Sequence, residues 1–201
     1  MDWASVLAEE AKTSPIIRSD LLARKHDIPL QSLRVTLRRQ EKRGLVERVR
    51  NTIYINRLAS GFSVRDLAVA ICPESYISLD SALNEWGILS QSSPFLTCVS
   101  IRQIPPIKIR NEQIRFHSIK KALYWGFGEK KTRYTTYKIA EPEKALLDWI
   151  YFRRKEQQRV DLDEFDFHLL SRSKLVKYVK KYPTTVLQTL YPILVEQQFA
   201  A

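Results

Sequence analysis

Apolar positions in the first sixty residues recur at helical spacing and then change to alternation. Trp3, Val6, Leu7 and Ala11 share one helical face, Asp2 is placed to cap it, and the pattern stops near Thr13-Ser14-Pro15. Ile16 and Ile17 predict a short strand. Ser19 is a suitable N-cap for a second helix, with Leu21, Leu22 and Ala23 as its buried side and an end near His26-Asp27. A third helix is predicted over Leu30 to Lys42, closed by Gly44. On it, Leu30, Leu33, Leu37 and Gln40 cluster on one side. Gln31, Ser32, Val35, Arg38, Arg39 and Lys42 take the other, with Arg34 at the margin. Leu45, Val46, Val49, Ile53 and Ile55 then give two short strands about Asn51-Thr52, with Arg48 and Arg50 before the turn; the strand at Ile16-Ile17 can pair with them. Asn51 tolerates positive φ, but the β-branched Thr52 suits a tight turn poorly, which predicts an irregular connection.

Leu58–Gly61 is the expected boundary between a first domain, residues 1–58, and a second, residues 61–201. The second begins with a helix over Val64–Ile71, ended by Pro73. Another follows over Leu79–Trp86, capped by Ser78 and closed by Gly87 at C′. Phe95–Ser100 is strand-like, and Ile107, Ile109, Ile114, Phe116 and Ile119 alternate with polar residues in a hairpin pattern about Asn111-Glu112-Gln113. Leu123–Phe127 and Tyr134–Ile139 predict two more strands. Pro142 occupies the first turn of a helix running to Arg153, where Glu141 and Glu143 suit the helix dipole. Helices over Leu162–Leu170, Lys174–Lys181 and Thr185 to about Gln197 complete the pattern, the last interrupted by Pro192. The expected class is α+β: an N-terminal winged helix-turn-helix, then a small, mostly antiparallel sheet with flanking helices.

Charge sharpens this picture. The formal net charge is +11, which favours a polyanionic partner. Lys and Arg outnumber Asp and Glu by 12 to 7 in residues 1–60 and by 11 to 6 in residues 61–140, but only by 10 to 9 thereafter. A basic helix on a packed frame, followed by a basic hairpin, has the shape and charge to dock on duplex DNA. The residues placed to do so are Gln31, Ser32, Arg34, Val35, Arg38, Arg39, Lys42, Arg48, Arg50 and Asn51. Arg38, Arg39 and Lys42 suit phosphates or guanine edges, Gln31 and Ser32 lie at the end of the helix that enters a major groove, and Val35 suits a thymine methyl.

Catalytic and metal chemistry find less to build on. Cys72 and Cys98 sit in apolar runs without zinc spacing and are expected to be buried free thiols. Asp161, Asp163, Glu164, Asp166 and His168 form an acidic run that reads as a capped helix start rather than a metal site, because no glycine-containing calcium loop accompanies it. His26 and His117 are isolated, and no phosphate-cradling loop or nucleophile elbow is present. Tyr124, Trp125 and Phe127 read as core or interface aromatics. No cofactor is expected. No apolar run is long enough to span a bilayer and residues 1–12 lack signal-peptide character, so a cytoplasmic location without membrane association is expected.

Three segments resemble one known family. Residues 21–54, LLARKHDIPLQSLRVTLRRQEKRGLVERVRNTIY, resemble the N-terminal winged helix of AbiEi-type antitoxins, the antitoxin and autoregulator components of AbiE abortive-infection toxin–antitoxin systems. Tyr76–Leu89, YISLDSALNEWGIL, and Tyr137–Phe152, YKIAEPEKALLDWIYF, are similar to two further segments of that family, in matching order and spacing. Family wings commonly carry Arg-Gly where this chain has Asn51-Thr52. The resemblance implies a repressor of its own toxin–antitoxin operon that binds double-stranded promoter DNA. It also implies a C-terminal domain that counters a nucleotidyltransferase-type toxin without a stable complex, with the protein a monomer or weak dimer.

In the second domain, Ser81, Lys144 and Asp148 are the polar positions to watch. Lys144 and Asp148, four apart, can meet on one helix face, where an exposed pair would contribute only about 0.3–0.5 kcal/mol. Two other classes stand beside the antitoxin reading. One is an enzyme acting on nucleic acid or toxin through the 144–148 and 161–168 groups; the other is a basic RNA-binding module.

Overall fold

A computed structural model of the chain describes residues 2–91 and 93–196. Within it the chain forms two compact units, Met1–Pro73 with Lys131–Tyr137, and Glu74–Lys130 with Lys138–Ala201. The division differs from a cut at residues 58–61, because the helix over Val64–Ile71 and residues 131–137 group with the first unit. The architecture is α+β, with two separate sheets.

The first unit follows its apolar spacing closely. Helix α1 (Trp3–Thr13) is capped by the Asp2 carboxylate, which accepts from the Ala4 amide at 3.1 Å. Strand β1 (Ile16–Arg18), helices α2 (Ser19–Lys25) and α3 (Leu30–Lys42), and strands β2 (Val46–Arg48) and β3 (Ile53–Asn56) follow. The sheet order is β1-β3-β2, both pairings antiparallel, with Ile17 opposite Tyr54 and Arg48 also opposite Tyr54.

Leu7, Ile17, Leu22, Leu33, Leu37, Val46 and Tyr54 form the core that seats α3 on the sheet. Asn56 fastens it from beneath: its buried amide donates to the Leu7 carbonyl at 2.7 Å. Helix α3 ends in a Schellman arrangement. Gly44, at φ +76°, donates to Glu41 O, and the Leu45 amide reaches back to Gln40 O. Helix α4 (Val64–Ile71) starts with a reciprocal Ser63–Asp66 capping box.

Two expectations for α2 change. Ser19 is its first helical residue rather than its cap, with a buried hydroxyl that has no partner, and Leu21 is 49 % exposed. The second helical turn points Leu22 and Ala23 inward and turns Leu21 away. Val49 lies in the connection between β2 and β3 rather than in a strand.

The second unit is built on a six-stranded sheet in the order β6-β7-β5-β4-β9-β8. Its strands are β4 (Tyr76–Ile77), β5 (Leu96–Ser100), β6 (Ile107–Ile109), β7 (Glu112–Ser118), β8 (Phe127–Lys131) and β9 (Thr136–Ala140). The sheet is mixed rather than mostly antiparallel: β4 runs parallel to β9 and β5 parallel to β7, while β4–β5 and β6–β7 are antiparallel. Helix α5 (Leu79–Glu85) closes at Gly87, again with φ +76° and a Schellman pair from Gly87 and Ile88.

Helix α6 (Pro142–Lys155) carries Pro142 at its start and buries an unbroken run from Glu143 to Phe152. It packs against α5, α7 (Arg172–Val179) and α8 (Thr184–Glu196). Pro192 lies inside α8 without ending it, and Gln197 falls outside the described residues.

Two predicted elements are replaced. Leu123–Phe127 is not a strand: a 3-10 turn covers Lys121–Leu123, and β8 begins at Phe127. Leu162–Leu170 is not a helix; only Phe167–Leu169 forms a short turn, capped by the Asp166 carboxylate. Cys72 and Cys98 are buried, and no disulfide joins them. Among the described residues no helix is long and apolar enough to cross a membrane.

Candidate nucleic-acid interface and a buried ion pair

The leucines of α3 leave its opposite face bare. Gln31, Ser32, Arg38, Arg39 and Lys42 are exposed, Val35 is 49 % exposed, and Arg34 is half-buried at the margin. Among the described residues the side chains of Arg38, Arg39 and Lys42 form no hydrogen bond or ion pair. Three cations thus stand in solvent along a helix anchored from behind.

Beside them runs a cleft of about 270 Å³, lined by Gln31, Arg34, Val35 and Arg38 from α3 and by Arg48, Asn51 and Tyr54 from the hairpin. The structure therefore brings the two expected basic elements to one concave, strongly polar surface. The Nε of Arg34 is buried there without a partner.

Arg48 has a different part from Arg38. Its guanidinium donates to the Asn51 side chain at 2.8 Å and to the Arg50 carbonyl at 3.3 Å, and its amide donates to the Glu41 carboxylate at 3.1 Å. It helps close the β2–β3 connection over residues 49–52, where Arg50 and Ile53 exchange backbone hydrogen bonds about Asn51-Thr52 and the Val49 amide shares the Ile53 carbonyl. Asn51 is exposed at the tip and Arg50 is half-buried.

In the second unit, Lys144 and Asp148 do meet, but not on an exposed face. Both side chains are 0 % exposed, with Nζ 2.5 Å from Oδ1. Lys144 also donates to the Leu123 carbonyl at 2.9 Å and to the Tyr182 hydroxyl at 2.7 Å. Asp148 accepts from Tyr76 and Ser78, each at 2.9 Å, and from Tyr182 at 2.7 Å.

The ammonium lies 5.0–5.5 Å from the ring centres of Trp125, Tyr182 and Tyr76. Burial lowers the affinity of Lys144 for its proton, and the Asp148 carboxylate opposes that shift. Burial, and then the same carboxylate, push the Tyr182 hydroxyl well above the ordinary tyrosine range. Gly126 makes room for the lysine: a Cβ there would stand 3.2 Å from Lys144 Cγ.

Ser78 holds the N-cap position of α5 that the sequence predicts, but its hydroxyl donates to Asp148 and makes no cap bond to the helix. Ser81 belongs to a separate group. Its hydroxyl accepts from the Thr97 amide at 2.8 Å, and its amide donates to Thr97 Oγ1 at 3.1 Å, tying α5 to β5. Sequence reasoning missed Tyr76, Ser78 and Tyr182. Tyr182 carried no local signal, since it joins the network from 34 residues beyond Asp148.

Acidic residues near 161–168 accept structural hydrogen bonds: Asp161 from the Asp163 amide nearby, and Glu164 from the distant Gln91 side chain. Among the described residues no group of three or more His, Cys, Asp or Glu side chains is placed to hold a metal.

His117 packs on Phe152, with ring centres 5.0 Å apart, and its Nδ1 lies 3.7 Å from the Glu156 carboxylate. Burial, the largest influence, lowers its proton affinity; Glu156 and Asp80 oppose this, and Arg115 and Lys155 reinforce it. The folded chain therefore holds His117 neutral more strongly than the unfolded chain does. Its contribution to stability is complete above the ordinary histidine pKa of about 6.5 and is lost as pH falls through the lowered folded value. An NMR titration of the imidazole carbons is expected to place the His117 midpoint below about 6.5. A midpoint at or above that value would mean that Glu156, not burial, governs the ring.

No protein-family model and no curated protein matches this chain.

Proposed function

We propose that the chain is a sequence-dependent DNA-binding protein. In this reading the first unit is a winged helix-turn-helix, α3 enters the major groove, and the β2–β3 hairpin is the wing on the neighbouring backbone. The observation that carries it is the set of unpaired, exposed cations Arg38, Arg39 and Lys42 on a helix whose other face is locked into a core. Such a face stays hydrated in the free protein and gains partners only from an anion. Gln31 and Ser32 at the start of α3, with Val35 one turn on, are the side chains placed for base edges; the arginines and Lys42 are placed for phosphates.

The resemblance of Tyr76–Leu89 and Tyr137–Phe152 to AbiEi-type antitoxins extends the proposal. The bound DNA would be the promoter of the chain's own operon, and the second unit would counter a nucleotidyltransferase-type toxin.

The test is the salt dependence of binding, followed by fluorescence anisotropy on a duplex taken from upstream of the chain's own reading frame. Neutralising about five phosphates predicts that log K falls against log salt with a slope of about −4.5. A slope shallower than about −2, or tighter binding to structured RNA at equal salt, would overturn the duplex reading.

A further inference from the structure

The second unit contains a cleft for which neither DNA binding nor the buried ion pair has a use. It encloses about 310 Å³ and is lined from α5, β5, β7 and the C-terminal half of α6. A second hollow of about 540 Å³ adjoins it and shares His117, Phe152 and Glu156. Together they reach the size of small-molecule sites, about 300–1,000 Å³.

Two arginines open into the cleft. Arg115 lies over Phe95, its Cζ 3.5 Å from the ring centre, and Arg153 lies over Trp149 at 4.0 Å. Arg153 also donates one N–H to the Arg159 carbonyl at 3.2 Å. Among the described residues neither arginine has an acidic partner. Two carboxylates share the lining: Asp80 accepts from the Trp149 indole N–H at 3.0 Å, and Glu156 faces His117.

A guanidinium stacked on a ring is held with its donors in a fixed plane, which suits two-point contact with an oxyanion. The lining also carries apolar and aromatic side chains: Leu79, Leu89, Trp149 and Phe152. Two guanidiniums that form no ion pair among the described residues, beside such side chains, suit a ligand that joins a planar ring to an oxyanion.

We propose that this cleft binds a mononucleotide, its phosphate held by Arg115 and Arg153 and its base packed on these apolar and aromatic side chains. The inference is independent of the DNA-binding reading. Calorimetric titration of the intact chain with adenosine 5′-monophosphate, adenosine and inorganic phosphate separates the parts of the ligand. The nucleotide is expected to bind at least about tenfold more tightly than either fragment. The double variant Arg115→Gln, Arg153→Gln is expected to weaken it by about tenfold or more, with unchanged circular dichroism and unchanged affinity for duplex DNA. The single variant Arg115→Gln, at an exposed position, gives the same reading should the double variant fold poorly. Equal affinity for phosphate and nucleotide, no heat of binding up to about 10 mM nucleotide, or undiminished binding by the folded variants would overturn the proposal.

Discussion

Asp148→Ala is expected to destabilise the second unit by about 3–5 kcal/mol, the cost of stranding one member of a buried ion pair. The change removes the acceptor of four donors at once: the Lys144 ammonium and the hydroxyls of Tyr76, Ser78 and Tyr182. Lys144 would keep only the Leu123 carbonyl and the Tyr182 hydroxyl in a pocket without solvent, and its already lowered proton affinity would fall further.

The converse change, Lys144→Met, is expected to be milder. It leaves the Asp148 carboxylate with three hydroxyl donors, and the methionine fills most of the space the lysine stem occupied. Pairing Lys144→Met with Asp148→Leu is expected to recover part of the loss of Asp148→Ala, because apolar replacement of a buried pair is often neutral. Urea unfolding followed through tryptophan fluorescence measures all three. An Asp148→Ala protein within about 0.5 kcal/mol of the parent would show that the pair contributes nothing to the fold.

The difference between this buried pair and the exposed one expected from spacing marks where the sequence stops being legible. Spacing of four places Lys144 and Asp148 on one helix face, and that much holds. It says nothing of what covers the face, because the covering groups come from β4, from the turn at Leu123 and from Tyr182, each far away in sequence. Burial runs unbroken from Glu143 to Phe152 and includes the polar positions, so the polar residues of α6 do not mark a solvent face.

The run Leu123–Phe127 misleads for a related reason. Its apolar content suits a strand, but Gly126 at φ +74° bends the chain where the Lys144 stem passes, and the strand starts afterwards. Parallel pairing of β5 with β7 is equally hidden, since alternation in a strand is the same whichever way its neighbour runs.

The first unit shows the opposite case. Its helices are amphipathic, its Schellman glycine is local, and the leucines of α3 identify the core side by periodicity alone. What spacing could not separate was the work of its arginines. Arg38 and Arg39 are unpaired on the helix, whereas Arg48 holds the hairpin turn together. One residue type therefore does two jobs within ten positions, and only the fold distinguishes them.

That distinction makes the last experiment sharp. Arg38→Ala combined with Arg39→Ala is expected to weaken duplex binding by about 10- to 100-fold at moderate salt, and to make the salt slope shallower by about 1.8 if both contact phosphate. Melting temperature should scarcely move, because neither side chain has a partner within the protein to lose, and exposed substitutions usually stay within about 0.5 kcal/mol.

Arg48→Ala serves as the contrast. It opens the turn that Asn51 and the Arg50 carbonyl help close, so it should lower both stability and affinity. A double variant that binds as tightly as the parent would remove the α3 face from the interface. A loss of affinity without a change in slope would assign both arginines to base edges rather than to the backbone, since reading a base releases no counterion from a phosphate.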